Sequence, residues 1–274
     1  MDGAGFFTEF HGMISALESQ KNSLQEVIID SCAFSEEFEV LKICKNLETL
    51  RIKYCDHQAL SKLSKILDHK VSNKISTLEV IYCPISAQPI ALMLEKSGTL
   101  LQRLRLVLNN GKIQKYISLL EALKSFCPNI IYLDIANIKF STKLVELISD
   151  LQKLQFLSLR CYNDGIPEPD EELKKRVIQF SEILPLTLQY LNLNNWFGPY
   201  IDILLNHCNV PLKKLLIYKI YDEKIAKALI EFCIRNKTLK YLGVYKYLDL
   251  DDNIRKEVEE YVELVTFKRI LVYC

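Results

Sequence analysis

The sequence is poor in the residue types and motifs that build dedicated catalytic sites. Its 274 residues include eight glycines, eight prolines, four histidines and one tryptophan. There is no Walker-type phosphate loop, no nucleophile elbow and no H-E-x-x-H zinc motif. The triplet Cys55-Asp56-His57 lacks the second pair of ligands that a zinc site needs. We therefore expect a protein without catalytic activity, cofactor or metal ion.

An excess of charge and a long apolar run are also missing. The net charge is +1, so bulk electrostatics attract neither nucleic acid nor an anionic membrane. No apolar run approaches the roughly 18 residues that a membrane-spanning helix needs, and the first residues do not resemble a secretory signal. Nine cysteines, an odd number, indicate free thiols in a reducing compartment. We expect an intracellular protein of the cytoplasm or the nucleus.

A short strand pattern recurs along nearly the whole chain. The pattern L-x-x-L-x-L predicts a strand, and its copies start at intervals of 23 to 34 residues. The ten copies are LQEVIIDSC from Leu24, LETLRIKYC from Leu47, ISTLEVIYC from Ile75, LQRLRLVLN from Leu101, IIYLDIANI from Ile130, LQFLSLRCY from Leu154, LQYLNLNNW from Leu188, LKKLLIYKI from Leu212, LKYLGVYKY from Leu239 and FKRILVYC from Phe267.

Amphipathic helical patterns lie between these copies, and Ile43 and Ile117 belong to their predicted inward faces. One strand and one helix per repeat predict an α/β leucine-rich repeat solenoid, a horseshoe with parallel strands on the concave face and helices on the convex face. Residues 1–23 are predicted to form an N-terminal helix, as a cap or half repeat. Residues 24–274 are predicted to form the repeat domain, with about ten repeats.

The main alternative is a (β/α)₈ barrel, which also alternates strands and helices over about 250 residues. Barrel strands are buried on both faces and usually consist of apolar runs. Here polar residues such as Arg51, Asp134 and Asn192 interrupt the strands. Ten copies rather than eight also favour the solenoid.

The copies with cysteine resemble the leucine-rich repeats of F-box proteins and their ribonuclease-inhibitor-like relatives. The resemblance rests on LRIKYC and LEVIYC in the strands, and on ICKNLETL and FCPNIIYLDI at the junctions from helix to strand. The segment FHGMISALESQKNSLQEV is similar to the one that leads into the repeats of fungal F-box-like families. The F-box itself, a helical adaptor-binding module, has no visible counterpart in the 23 residues before the first copy.

This resemblance implies non-catalytic recognition of an unidentified protein, as the substrate-selecting part of a cullin-type (SCF) ubiquitin ligase. The adaptor and the cullin would be partners if an F-box lies upstream. The alternative is a ribonuclease-inhibitor-like or GTPase-regulating repeat protein that binds and controls an enzyme. No membrane is expected as a partner, and the near-zero net charge argues against nucleic acid.

Residues three, five and seven of each copy are predicted to point away from the helices, because side chains alternate along a strand. We call the surface that they form the variable face. Tyrosine and arginine dominate interface hot spots, but tyrosine also favours exposed strand positions for conformational reasons alone, and both interpretations stay open. The candidate partner-binding residues are a basic band of Arg51, Lys53, Arg103 and Arg105, and a mainly aromatic set of Tyr132, Phe156, Arg160, Tyr190, Asn192, Tyr218, Tyr241 and Tyr245.

Three smaller features complete the predictions. The cysteines at position nine and at helix ends are interpreted as small buried corners of the scaffold. Residues Cys161 to Leu173 contain a predicted loop, which either takes part in binding or is a tolerated insertion. The last copy predicts an uncovered strand edge, which indicates a fragment, a natural truncation or a contact with a partner.

Overall fold

The computed structural model describes residues 13–33, 36–66, 74–83, 87–108, 116–162, 170–193, 195–220, 222–246 and 251–272. The chain divides into two compact units, of which one extends to Ile130 and the other begins at Ile131. The predicted loop after Cys161 lies largely outside the described residues, as do the first twelve residues of the predicted N-terminal helix.

The first unit alternates parallel strands with helices, as the sequence predicts. Strands β1 to β4 lie side by side in chain order, each paired in parallel with the next. The elements are α1 (Met13–Ser19), β1 (Glu26–Asp30), a 3-10 helix (Glu36–Ile43), β2 (Thr49–Lys53), α2 (His57–Ile66), β3 (Thr77–Cys83), α3 (Ala87–Ser97), β4 (Arg103–Leu108) and α4 (Tyr116–Phe126).

The second unit repeats this arrangement with six strands. Strands β5 to β10 are again parallel and adjacent in chain order. The elements are β5 (Tyr132–Lys139), α5 (Thr142–Asp150), β6 (Phe156–Tyr162), α6 (Asp170–Ile183), β7 (Tyr190–Leu193), a 3-10 helix (Asn195–Tyr200), α7 (Ile201–His207), β8 (Lys214–Ile217), α8 (Glu223–Asn236), β9 (Tyr241–Val244), α9 (Asp252–Glu259), β10 (Glu263–Thr266) and α10 (Phe267–Ile270).

The repeated leucine positions build the core in both units. In the second copy Leu47, Leu50 and Ile52 have no exposed surface, because positions one, four and six of the pattern face the helices. Asparagine side chains join neighbouring repeats where a helix leads into a strand: Asn46 donates to the carbonyl of Asn22 at 2.6 Å, and Asn129 to that of Thr99 at 2.8 Å. No repeat buries its apolar face alone, so stacking stabilises all of them.

The cysteine at position nine turns inward because the residue before it has a left-handed backbone. Tyr54 and Tyr82 have φ angles of 53° and 54°, which few bulky residues adopt. This kink brings the Cys55 thiol within 3.8 Å of the Ile29 carbonyl and the Cys83 thiol within 3.8 Å of the Ile52 carbonyl. Both cysteines are buried, which agrees with their predicted role as corners of the scaffold.

Three predictions about individual segments are wrong. Ile43 and Ile117, predicted to face inward, are 40% and 47% exposed. Ile43 ends a 3-10 helix and Ile117 lies in the first turn of α4, where the inward face falls on neighbouring residues. The copy FKRILVYC does not form a strand: Phe267–Ile270 is a helical turn, and the tenth strand is Glu263–Thr266 just before it.

Among the helices of the described ranges, none combines the length and the apolar character needed to cross a membrane.

Candidate recognition face

Parallel pairing in register aligns the variable residues of the second unit into rows. The row at position three runs from β5 to β10 through Tyr132, Phe156, Tyr190, Lys214, Tyr241 and Glu263. The row at position five contains Asp134, Ser158, Asn192, Leu216, Gly243 and Val265. The variable face is therefore aromatic along one row, and changes from polar to apolar along the next.

Three rings of the position-three row form a ladder across β5, β6 and β7, which we call the aromatic ladder. Ring centroids lie 6.1 Å apart between Tyr132 and Phe156, and 6.0 Å apart between Phe156 and Tyr190. Aromatic pairs at this separation attract beyond the area they bury. Phe156 is half-buried, whereas Tyr132 and Tyr190 are each only 2% exposed.

A polar cluster lies beside the ladder on the same three strands. Arg160 donates to the Asp134 carboxylate at 3.2 Å, and the Asn192 side-chain amide donates to the Ser158 hydroxyl at 3.0 Å. Asp134, Ser158 and Asn192 are buried, while Arg160 is half-buried. Buried polar groups need such partners, since each one left unsatisfied costs about 1 to 3 kcal/mol.

The apolar end of the face is covered by the chain itself. Leu216 and Val265 are buried together with Ile270 of α10, and Tyr241 and Tyr245 pack against this cluster. The Phe267 ring stacks on Tyr245 with centroids 4.6 Å apart, and Tyr245 in turn lies 6.5 Å from Tyr218. Lys214 adds a cation 5.9 Å from the Tyr241 ring centre.

In the first unit the variable face is charged. Arg51 contacts both Glu26, at 2.6 Å, and Glu79, whose side chain is 2% exposed. Strand register places Arg51, Glu79 and Arg105 in one row, and Arg103 beside Thr77. We call Arg51, Glu79 and Arg105 the charged row; Glu26, which contacts Arg51, lies in the neighbouring position-three row. Arg51, Lys53, Arg103 and Arg105 are all half-buried, and carboxylates of neighbouring strands lie among them, so the predicted basic band is not purely basic.

The structure thus brings the predicted residues onto the variable face in two separate sets, one in each unit. The expectation that all of them are exposed to solvent is wrong, because Tyr132, Tyr190 and Asn192 are buried. Nothing in the fold tests partner binding itself, which stays a prediction for all twelve residues.

Sequence reasoning missed the roles of two pairs of residues. Tyr54 and Tyr82, at position eight, are 47% and 39% exposed and stack with ring centroids 5.1 Å apart. Their signal was a tyrosine directly before the cysteine in two successive copies. Phe267 and Ile270 were assigned to a strand, although their spacing of three also fits one helical turn.

Most of the described cysteine thiols are poorly suited to nucleophilic chemistry, although a hydrogen bond from Cys55 lowers the pKa of the buried Cys83 thiol. All eight described cysteines are free, and every one except Cys32 is buried. Burial raises the pKa of the Cys127 thiol to about 12 and that of Cys233 to about 11. Since the thiolate is the reactive form, these groups are nearly inert at neutral pH.

Two further features of the described ranges concern possible metal binding and catalysis. No group of three metal-ligating side chains comes together among these residues. An open depression of about 600 Å³ lies beside the start of β10, and its charged lining residues are Lys240, Glu259, Glu260 and Glu263. It contains no serine, cysteine or histidine that could act as a nucleophile or base.

Comparisons with known proteins give similar structures but no matching sequence family. No family model matches the sequence, and no curated protein sequence matches it. A chain from the crystal structure of the Rad7–Elc1 complex of yeast is similar in structure, with a TM-score of 0.52 and 13% identity over 92% of this chain and 80% of the yeast chain.

A leucine-rich repeat protein of Leptospira interrogans is also similar, with a TM-score of 0.47 and 16% identity over 94% of this chain. The match spans 57% of the Leptospira chain, so this protein covers little more than half of that length. The repeated strand–helix units, their parallel register and the buried leucine positions together establish the architecture. The chain has the leucine-rich repeat fold.

Proposed function

We propose that this protein recognises another protein through the variable face of its second unit, without catalysing a reaction. The observation that carries this proposal is the partly exposed Phe156 ring, held between the buried Tyr132 and Tyr190 rings of the aromatic ladder, next to the partly exposed Arg160 of the Arg160–Asp134 ion pair. Rigid aromatic rings beside a positioned arginine are the chemistry of interface hot spots. A parallel sheet holds them in place, so little conformational entropy is lost on binding.

The more specific proposal is substrate selection for a cullin-type ubiquitin ligase. Its support is the resemblance of the cysteine-containing repeats to those of F-box proteins. The structurally similar yeast chain comes from a complex of two proteins, Rad7 and Elc1, but at this identity the similarity concerns the fold alone. A location in the cytoplasm or nucleus belongs to the same proposal.

The test begins with affinity purification of the tagged chain from its source cell, followed by mass spectrometry. Recovery of an adaptor and a cullin supports ligase membership. Their absence, together with one enzyme in stoichiometric amount, favours the alternative role as a regulator of that enzyme.

The face itself is tested by calorimetry with the purified partner. Phe156→Ala combined with Arg160→Ala should weaken binding at least about tenfold, since a hot-spot side chain contributes about 2 kcal/mol or more. Lys175→Ala on α6, where the side chain is 71% exposed, is the matched control and should bind as the wild type does. Equal affinity of the double variant, with an unchanged melting temperature, would overturn the proposal.

A further inference from the structure

The turn that covers the apolar end of the variable face has the form of a bound peptide. Phe267–Ile270 is a single helical turn, and the backbone is extended on both sides of it, at Thr266 and at Leu271. Phe267 and Ile270, three positions apart, lie on the same side of the turn. Lys268 and Arg269 between them are exposed. We call residues Phe267–Val272 the docked segment.

The sheet receives this segment with a complementary surface. Tyr245 stacks against the Phe267 ring at an interplanar angle of 24°. Ile270 is 3% exposed and contacts Leu216 and Val265, which belong to the position-five row. An aromatic residue and a branched aliphatic residue are thus bound by two adjacent parts of one face.

Gly243 creates the space that Ile270 fills. Position five carries a side chain in nine of the ten strands, and glycine only in β9. A Cβ atom on Gly243 would lie 2.5 Å from Ile270 Cδ1 and 2.6 Å from Leu216 Cδ1, which is closer than real Cβ contacts allow. The missing side chain therefore forms a depression shaped for one aliphatic group.

A polar contact holds the far end of the docked segment. The Tyr132 hydroxyl donates a hydrogen bond to the Val272 carbonyl at 3.0 Å. Tyr132 is also the first ring of the aromatic ladder. The docked segment and the proposed recognition site therefore share a residue, and a partner that engages the whole ladder must compete with the segment.

We propose that the variable face of β8–β10 is a binding site for a short helical turn of a protein partner, with an aromatic residue followed three positions later by a branched aliphatic residue. In the isolated chain the docked segment occupies this site and competes with that partner. This inference rests on the proposed protein-recognition function and adds the class of ligand and its regulation.

Covalent attachment lets a small contact keep the site occupied. A segment tethered by a short linker acts at an effective concentration in the millimolar range, so two apolar anchors and one hydrogen bond suffice. A ligand added in solution binds only the fraction of molecules in which the site is open, and its apparent dissociation constant rises in inverse proportion to that fraction. Releasing the segment should therefore strengthen binding of an external copy.

The experiment uses a fluorescent peptide with the sequence of residues 266–272, TFKRILV, and measures its anisotropy with the full chain. Phe267→Ala combined with Ile270→Asp removes both anchors of the docked segment. This variant should bind the peptide at least about tenfold more tightly than the wild type does. Lys268→Ala combined with Arg269→Ala changes only exposed side chains and should bind as the wild type does.

Two further binding measurements test whether the peptide occupies the place of Ile270 beside Gly243. Gly243→Ala, added to the opened variant, should weaken peptide binding at least about tenfold, because the new methyl group occupies the position of Ile270. A peptide carrying aspartate at the position of Ile270 should bind none of the chains. If the opened variant loses its cooperative thermal transition, Ile270→Ala replaces it and should give an affinity between those of the wild type and a fully open site.

Absence of peptide binding to the opened chain would overturn the ligand site. Equal binding to the opened and wild-type chains would overturn competition by the docked segment. Neither result depends on Phe156 or Arg160, so failure here is distinguishable from failure of the proposed recognition by the aromatic ladder.

Discussion

The two units of this protein build the same repeat and present different chemistry on it. In the first unit the variable positions carry the charged row, in which Arg51 is held between Glu26 and Glu79. In the second unit they carry the aromatic ladder and an apolar end covered by the docked segment. The buried leucine positions are common to both. Within the repeated pattern, one set of positions thus determines the buried core and another set determines the chemistry of the variable face.

The difference shows how a repeat fold is adapted to more than one use. Residues at positions one, four and six must fit the helices behind them, so their identity changes little between copies. Residues at positions three, five and seven contact only neighbouring strands or whatever lies on the face, so they vary freely. Three predictions test this comparison, in order of decreasing effect. They concern the aromatic core of the second unit, the charged row of the first unit, and one buried cysteine in each unit.

The largest effect is expected in the core of the second unit. Phe140, Phe180 and Phe197 pack together with ring centroids 5.0 to 5.9 Å apart, and all three are buried. Phe180→Ala should lower the free energy of unfolding by about 3 to 5 kcal/mol, because it removes buried surface and leaves a cavity. Urea denaturation measures this change.

Leu186→Ala is the control, because its side chain is 75% exposed in the turn after the helix that carries Phe180. It should change stability by less than about 0.5 kcal/mol. A cost for Phe180→Ala that is no larger than the control's would mean that this core is not packed as described.

A smaller effect is expected in the charged row. Glu79→Ala removes a buried carboxylate from Arg51, which keeps Glu26 and stays partly hydrated. We expect a loss of about 2 to 3 kcal/mol in unfolding free energy, below the range for a fully buried ion pair because solvent screens the arginine. Glu95→Ala on α3, an exposed position, should be neutral. A neutral Glu79→Ala would show that the row adds nothing to stability.

The smallest effect at neutral pH concerns two buried cysteines, one in each unit: Cys127 directly after α4, and Cys233 within α8. The pKa of Cys127 is raised to about 12 and that of Cys233 to about 11, in both cases by burial. In the unfolded chain a thiol ionises near pH 8.5. The stability that each buried thiol contributes is therefore complete below that pH, and is lost as the pH rises toward the folded-state pKa.

The unfolding free energy should accordingly fall by about 1.4 kcal/mol per pH unit for each such thiol above pH 9. Cys127→Ala and Cys233→Ala should each reduce this slope by about that amount between about pH 9 and 10, because both buried thiols stay protonated in the folded chain at those pH values. Denaturation at several pH values measures it. An unchanged slope in either variant would contradict the burial of that thiol.

The scaffold could be predicted from sequence because its pattern depends on local spacing. Of the ten strands in the described ranges, eight fall inside the predicted copies, and β5 extends one residue beyond its copy. The tenth was misplaced because Phe267 and Ile270 match L-x-x-L better than Tyr261 and Leu264 do, although Leu264 is the residue paired with Leu242. A spacing of three suits both this strand pattern and one helical turn, and sequence alone does not separate them.

The residues of the variable face could be predicted from sequence, but their burial could not. Alternation along a strand placed the candidate residues on one face, but it carries no information about what covers that face. Burial of Tyr190 and Asn192 and the contact from Tyr132 to Val272 depend on long-range packing. The same limit applies to Gly243, which is a weak strand residue in isolation and acquires a role only because Ile270 lies against it.

The most direct test of the account is hydroxyl-radical footprinting of single tyrosines by mass spectrometry. The wild type is compared with the Phe267→Ala, Ile270→Asp chain. Oxidation of Tyr241 and Tyr245 should rise severalfold once the docked segment is released, while Tyr54 and Tyr82 of the first unit should be unchanged. Equal oxidation of Tyr241 and Tyr245 in both chains would contradict the claim that the docked segment covers this part of the variable face.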